Sequence, residues 1–171
     1  MIRIRMLAEI AANVAIIFAA GLLCWFIVSA HKKSTPAPND KISIIGSRLP
    51  EITGHKWEEG HSATLLLAIR KGCAYCEASL PFYRHLSNLQ ESHLLKVRLL
   101  AVMPDTRKVG SEFLDIENLP VEAVFDQSLQ SLQVSGTPTL LLLATDGRVE
   151  QAWVGKLDAE GERQVLAIVE K

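Results

Sequence analysis

Apolar and polar positions along the chain follow two regimes. From Ile10 to Val28 apolar residues run almost unbroken through Ile16, Ile17, Phe18, Leu22, Leu23, Trp25 and Phe26, with Asn13 as the one strongly polar side chain. At about 1.5 Å per residue such a run spans a hydrocarbon core about 30 Å thick as a helix. We therefore expect residues 1–30 to form a membrane anchor. A cleavable signal peptide competes with this reading, because Arg3 and Arg5 precede the run and Val28-Ser29-Ala30 has the small-residue spacing of a cleavage site. The run is longer than the usual apolar core of a signal, which favours retention. Residues 31–41, with Lys32, Lys33, Ser34, Thr35, Pro36, Pro38 and Asn39, cannot bury much surface and read as a linker.

From residue 42 onward apolar residues come in short blocks divided by turn formers. Ile42 to Ile45 is a candidate first strand. Pro50 and Gly54 punctuate the segment from Gly46 to Gly60, in which Trp57 is expected to pack on the core. Leu65 to Ile69 is short, apolar and bounded by polar residues, as suits a strand buried on both faces. Leu80, Phe82, Tyr83, Leu86 and Leu89 then recur near helical spacing around Arg84, His85 and Asn88, predicting an amphipathic helix. Val97 to Val102 returns to strand character, so a parallel pair joined by a right-handed crossover is expected. Asp105 to Asn118 reads as a polar helix or loop, Ala123 to Phe125 as a short strand, and Gln127 to Gln133 as a helical turn or two. Thr139 to Leu143 and Val149 to Val154 flank the tight-turn signal Thr145-Asp146-Gly147 and form a hairpin. Asp158 caps a last helix whose apolar face is Val165, Leu166, Ile168 and Val169. The order of elements predicts an α/β domain over residues 42–171, a mixed central sheet with helices on both faces, preceded by one N-terminal transmembrane helix.

Composition narrows the function. A chain of 171 residues suits one domain with a core and an appendage. A net charge of -1 with no long basic run leaves no concentrated positive footprint for nucleic acid. Of the three cysteines, Cys24 lies in the apolar run, so Cys73 and Cys76 stand alone in the rest of the chain. No second close Cys or His pair completes a tetrahedral site, so no structural metal is expected. His55, His61, His85 and His93 show no ligand spacing and read as solvated or capping residues.

The remaining chemistry is Cys73-Ala74-Tyr75-Cys76, two thiols one helical turn apart where a strand gives way to a helix. A redox dithiol and a structural disulfide are the two readings. At a helix start, unpaired backbone N–H groups favour thiolate at Cys73, and thiolate is the attacking species. Arg70 and Lys71 just before it are candidates for adding to that effect, or are solvated. Cys76, one turn further in, is the natural resolving thiol. Tyr75, between the two, either shapes substrate contact or is a partly exposed helix residue. Gly136-Thr137-Pro138 precedes an apolar strand, and proline there points to a special backbone turn, a cis peptide among the options.

Taken together, Cys73, Cys76, Pro81, Thr137-Pro138 and Asp146-Gly147 resemble the pattern of the thioredoxin superfamily, and within it the membrane-tethered TlpA-like, or redoxin, thiol-disulfide oxidoreductases. The resemblance covers about residue 42 to the C-terminus. It implies a thioredoxin-like fold, Cys73 as nucleophile, Cys76 as resolving cysteine, a helix kinked at Pro81, and a cis-proline loop at Thr137 and Pro138 that offers backbone to the substrate. It also implies an extra strand at Ala123 to Asp126, and no cofactor. Protein thiols or disulfides would be the substrates, with a redox partner in the membrane or outside the cytoplasm. The implied location is the cytoplasmic membrane, single-pass, with the C-terminal domain extracytoplasmic, in the periplasm. Two alternatives share these residues: a non-catalytic thioredoxin-like interaction module with an inert disulfide, and a dithiol protein of the methylamine-utilisation kind. Peroxide reduction fits worse, because the Thr and Pro that the peroxiredoxin pattern places ahead of its cysteine are missing. The chain departs from the family at Gly72, where Trp is usual, and at Ser79, where the tethered branch often has Glu. Leu65 to Ile69 also lacks the buried acid of thioredoxins proper, so no proton acceptor for Cys76 is evident, Glu77 reading as a surface carboxylate.

Overall fold

Leu65 to Ile69 turns out to be the middle of the sheet. The computed structural model describes residues 21, 22, 25, 44–52, 57 and 62–171. In it, β1 (Thr64–Ala68) is buried along its whole length. The order across the sheet is β3 (Ala123–Asp126), β2 (Arg98–Met103), β1, β4 (Thr139–Leu143) and β5 (Val149–Val154). β1, β2 and β3 run parallel, and β4 and β5 are antiparallel to their neighbours. Among the described residues of the domain four helices complete it: α1 (Ala74–Glu77), α2 (Leu80–Glu91), α3 (Arg107–Ile116) and α4 (Ala159–Val169).

All four helices lie on one face of the sheet. Leu65, Leu67, Leu140 and Leu142 point to a core shared with Cys76, Tyr83, Leu86, Phe113, Val165 and Val169. The opposite face, carrying Leu66, Ala68, Leu100, Val102 and Leu141, is covered by Ile44, Leu49, Ile52, Trp57, Leu132 and Val134, none of them helical. The expectation of helices on both faces is therefore corrected among the described residues, and the reason is topological. The crossovers β1 to β2 and β2 to β3 step in the same direction, so two right-handed connections must use the same face. The hairpin from β4 to β5 needs no helix.

Two local expectations also change. Ile44 and Ile45 form a turn rather than a strand, closed by the Ser47 N–H (3.0 Å) and hydroxyl (2.6 Å) donating to the Ile44 carbonyl. Residues 42 and 43 lie outside the described residues. Pairing with the sheet edge comes slightly later, where the Gly46 N–H donates to Val149 (2.8 Å) and the Leu49 N–H to Gly147 (3.0 Å). Gln127 to Gln133 makes turns only, ending on Gln133 in the left-handed region at φ 57. There the Gln133 N–H reaches Gln130 and the Val134 N–H reaches Leu129, the bonding pattern of a Schellman cap. Gln133 is exposed, so its side chain contributes little to offset the cost of this conformation. Gln133→Gly is expected to raise stability by about 0.5–1 kcal/mol in urea unfolding; an unchanged or lower midpoint would contradict it.

The chain divides into two units, Met1–Lys41 and Ile42–Lys171. In the first, Gly21, Leu22 and Trp25 are helical. The rest of the expected anchor, the candidate cleavage site and the linker lie outside the described residues. Among the described residues no helix is long and apolar enough to cross a membrane.

Candidate active site at the dithiol

The site begins where β1 ends. Lys71 and Gly72 turn the chain, Gly72 in the left-handed region at φ 68, and deliver Cys73 in an extended conformation at the N-cap of α1. At an N-cap a side-chain acceptor can satisfy an orphan N–H of the first turn. Here the acceptor is sulfur: the Cys76 N–H donates to Cys73 Sγ at 3.2 Å. The positive φ also accounts for glycine at residue 72, since any side chain there would be strained.

α1 stops after one turn and α2 starts at Leu80, with Pro81 in its first turn where a missing N–H costs nothing. The kink that the resemblance implied at Pro81 is thus a full break between two helices. Ser79 sits at the junction, buried, its hydroxyl donating to the Tyr75 carbonyl at 2.8 Å.

The second wall comes from far along the chain. The Thr137-Pro138 peptide is cis, and Thr137 lies against Cys73. The Thr137 hydroxyl donates to Cys73 Sγ at 3.4 Å, and the Cys73 thiol faces the Thr137 carbonyl at 3.5 Å. The loop is fixed by the Thr139 hydroxyl donating to Gly136 (2.8 Å) and by the Gly155 N–H donating to Pro138 (2.7 Å).

Both cysteines are free and buried, and their surroundings separate them. Burial pushes Cys73 up, but hydrogen bonds from the Cys76 thiol, the Thr137 hydroxyl and the N–H groups of Cys76 and Tyr75 outweigh it, leaving Cys73 below the ordinary cysteine value. Burial, reinforced by the hydrogen bond to Cys73, pushes Cys76 up to about 11. The two sulfurs thus differ in acidity, Cys73 shifted toward thiolate and Cys76 toward thiol.

The structure brings Cys73, Cys76, Thr137 and Pro138 together. Tyr75 is adjacent and 66% exposed, its ring free to meet an incoming molecule. Arg70 and Lys71 are exposed, and the largest contributions that lower Cys73 are hydrogen bonds rather than these two cations. Arg70 acts at the dithiol through its backbone, which bonds toward Cys76. Glu77 is exposed. Two residues near the dithiol escape the pattern of the sequence: Ser79, noticed only as a departure, and Tyr83, indistinguishable from a core aromatic by spacing. Tyr83 is 1% exposed, and burial, reinforced by the charge of both thiols, raises its pKa. Among the described residues no group of three or more His, Cys, Asp or Glu could hold a metal ion.

No protein-family model matches the sequence, and no curated protein matches it. Solved structures do resemble the fold. A thiol:disulfide interchange protein from Bacteroides sp. is 19% identical, with TM-score 0.54 over 73% of this chain and 90% of that one. A thiol-disulfide isomerase from Corynebacterium glutamicum is 15% identical, with TM-score 0.52 over 78% and 99%. A thio-disulfide isomerase from Thermus thermophilus is 15% identical, with TM-score 0.50 over 72% and 95%. At such identities the likeness is one of fold: the domain is thioredoxin-like, with a mixed five-stranded sheet.

Proposed function

We propose that this protein is a membrane-anchored thiol-disulfide oxidoreductase that exchanges disulfides with extracytoplasmic protein thiols through Cys73 and Cys76. The observation that carries the reading is the asymmetry of the dithiol. Cys73 receives the Cys76 N–H and the Thr137 hydroxyl, while Cys76 is buried with its pKa pushed up to about 11. A purely structural disulfide has no use for such a division, whereas exchange needs an attacking thiolate first and a resolving thiol second. Cys73 attacks a substrate disulfide, and one substrate sulfur leaves as thiolate. Cys76 then attacks Cys73 in the mixed disulfide, closes the Cys73–Cys76 bond and releases the second substrate sulfur. Run backwards, the same steps oxidise a substrate dithiol. Tyr75 and the backbone at Thr137 and Pro138 flank the attacking sulfur and are the surfaces a substrate segment would meet. The anchor rests on the apolar run from Ile10 to Val28, and the extracytoplasmic location on that run together with the dithiol domain after it.

Cys76→Ser, expressed in the cell that makes the protein, is expected to trap Cys73-linked mixed disulfides as a ladder on non-reducing gels of the membrane fraction. No adducts, together with a wild-type disulfide that resists mild reductant, would sink the exchange reading. Adducts confined to the soluble fraction would remove the anchor.

A further inference from the structure

Three cations border the dithiol, and the exchange chemistry leaves them unused. Arg70 and Lys71 lie between β1 and Cys73, both exposed. Lys71 is two residues from Cys73, so the two Cα atoms are within about 7 Å of each other. Lys156, also exposed, arrives from another segment. It follows Gly155, whose N–H donates to the Pro138 carbonyl at 2.7 Å, and Pro138 is joined to Thr137, whose hydroxyl donates to Cys73 Sγ at 3.4 Å. β1 and β5 flank β4 in the sheet. The chain after β1 and the chain after β5 therefore bring their cations to the dithiol from opposite sides of β4, the strand that Pro138 introduces.

None of the three makes an ion pair among the described residues. In the segments that border the dithiol, residues 69–79, 134–138 and 154–158, the acids are Glu77 and Asp158. The Asp158 carboxylate is engaged at the cap of α4, where it accepts the Gly161 N–H at 2.8 Å. Glu77 lies a full turn beyond Cys73, at the end of α1. Nor does the attacking sulfur account for these charges, since hydrogen bonds lead in setting its acidity. Exposed cations at the rim of a site, with no carboxylate to pair with, draw in anionic ligands and orient them.

We propose that Arg70, Lys71 and Lys156 select substrates by charge, the preferred partner being a protein segment that carries Asp or Glu on both sides of its reactive cysteine. This rests on the thiol-disulfide exchange reading, whose substrate class it names. With the substrate sulfur held at Cys73, the substrate chain on one side of its cysteine passes Arg70 and Lys71, and on the other side it passes Lys156. Carboxylates there gain from the cations, and Lys or Arg in their place are repelled.

The test uses three peptides that differ only in having Asp, Asn or Lys on each side of a single cysteine, which is held in a mixed disulfide with thionitrobenzoate. Cys73 displaces thionitrobenzoate, Cys76 then displaces the peptide thiol, and the dithiol loses the two electrons that the mixed disulfide gains. The full-length reduced protein is mixed with each peptide in stopped flow, and each rate is divided by that of dithiothreitol with the same peptide. At about 0.01 M salt, where the Debye length is about 30 Å, the Asp peptide is expected to react about tenfold faster than the Asn peptide and the Lys peptide about tenfold slower. At about 1 M salt the Debye length is about 3 Å, and the three rates should draw together. Lys71→Glu combined with Lys156→Glu is expected to reverse the order at low salt. A loss of folding or of Cys73 reactivity would not do this, because it acts on all three peptides alike. Equal wild-type rates for the three peptides, an order that survives high salt, or an order that the variant keeps would each overturn the charge selection. A wild-type protein that releases no thionitrobenzoate from any of the peptides would instead overturn the exchange reading beneath it.

Discussion

Thr137→Val is expected to raise the Cys73 pKa and to cut its alkylation rate by iodoacetamide about tenfold at any pH below the pKa of both proteins. The hydroxyl donates to Cys73 Sγ at 3.4 Å and also lowers Cys76. A hydrogen bond to a charged group contributes about 1.5–3 kcal/mol, so losing one of the several bonds that share the Cys73 thiolate leaves a visible change. The sign depends on which form the bond stabilises. Thiolate accepts the Thr137 proton, so removing the donor shifts the pKa up, and the rise of rate with pH moves to higher pH. The two rate profiles should converge once both thiols are ionised. Coincident profiles at low pH would show that the Cys76 thiol and the N–H groups of Cys76 and Tyr75 set the thiolate without Thr137. Valine keeps the shape of threonine, so the backbone at Pro138 should be undisturbed.

The second large effect is on stability. Gly147, in the β4 to β5 hairpin, has φ 80, and a Cβ there would run into the Trp57 indole. The indole is held in place by its Nε1 donating to the Pro50 carbonyl at 3.2 Å. Gly147→Ala therefore incurs both a left-handed backbone penalty of about 1–2 kcal/mol and an overpacking cost of about 1–3 kcal/mol. Gly46 provides the comparison, since φ is 86 but open space surrounds its Cα. Gly46→Ala should lose only the backbone part. Urea midpoints for the two variants measure the difference, and equal losses would mean that the indole moves aside freely.

How much of the fold was legible depends on the range over which each signal acts. Leu65 to Ile69, Thr139 to Leu143 and the α4 cap at Asp158, whose carboxylate accepts the Gly161 N–H at 2.8 Å, are local patterns, and the sequence located them. Asp105 to Asn118 stayed open between helix and loop because its apolar residues are few; packing of Phe113 and Leu114 on the core selects the helix. Ile42 to Ile45 reads as a strand because β-branched residues carry that propensity, but at Ile44 and Ile45 a turn closed by Ser47 forms instead.

At the site, the order of residues was enough to locate the dithiol, its place at the head of a helix, and the proline that introduces β4. These depend on spacing along one segment, which backbone geometry converts directly into proximity. What surrounds the dithiol came from the tertiary arrangement alone. Thr137 meets Cys73 across 64 residues, and Phe113, Val165 and Val169 come from two later helices to the core that holds both thiols. Hydrogen bonds, rather than the neighbouring Arg70 and Lys71, lead in lowering Cys73. Spacing cannot encode such contacts, because they exist only once the sheet order and the shared helical face have brought distant segments together.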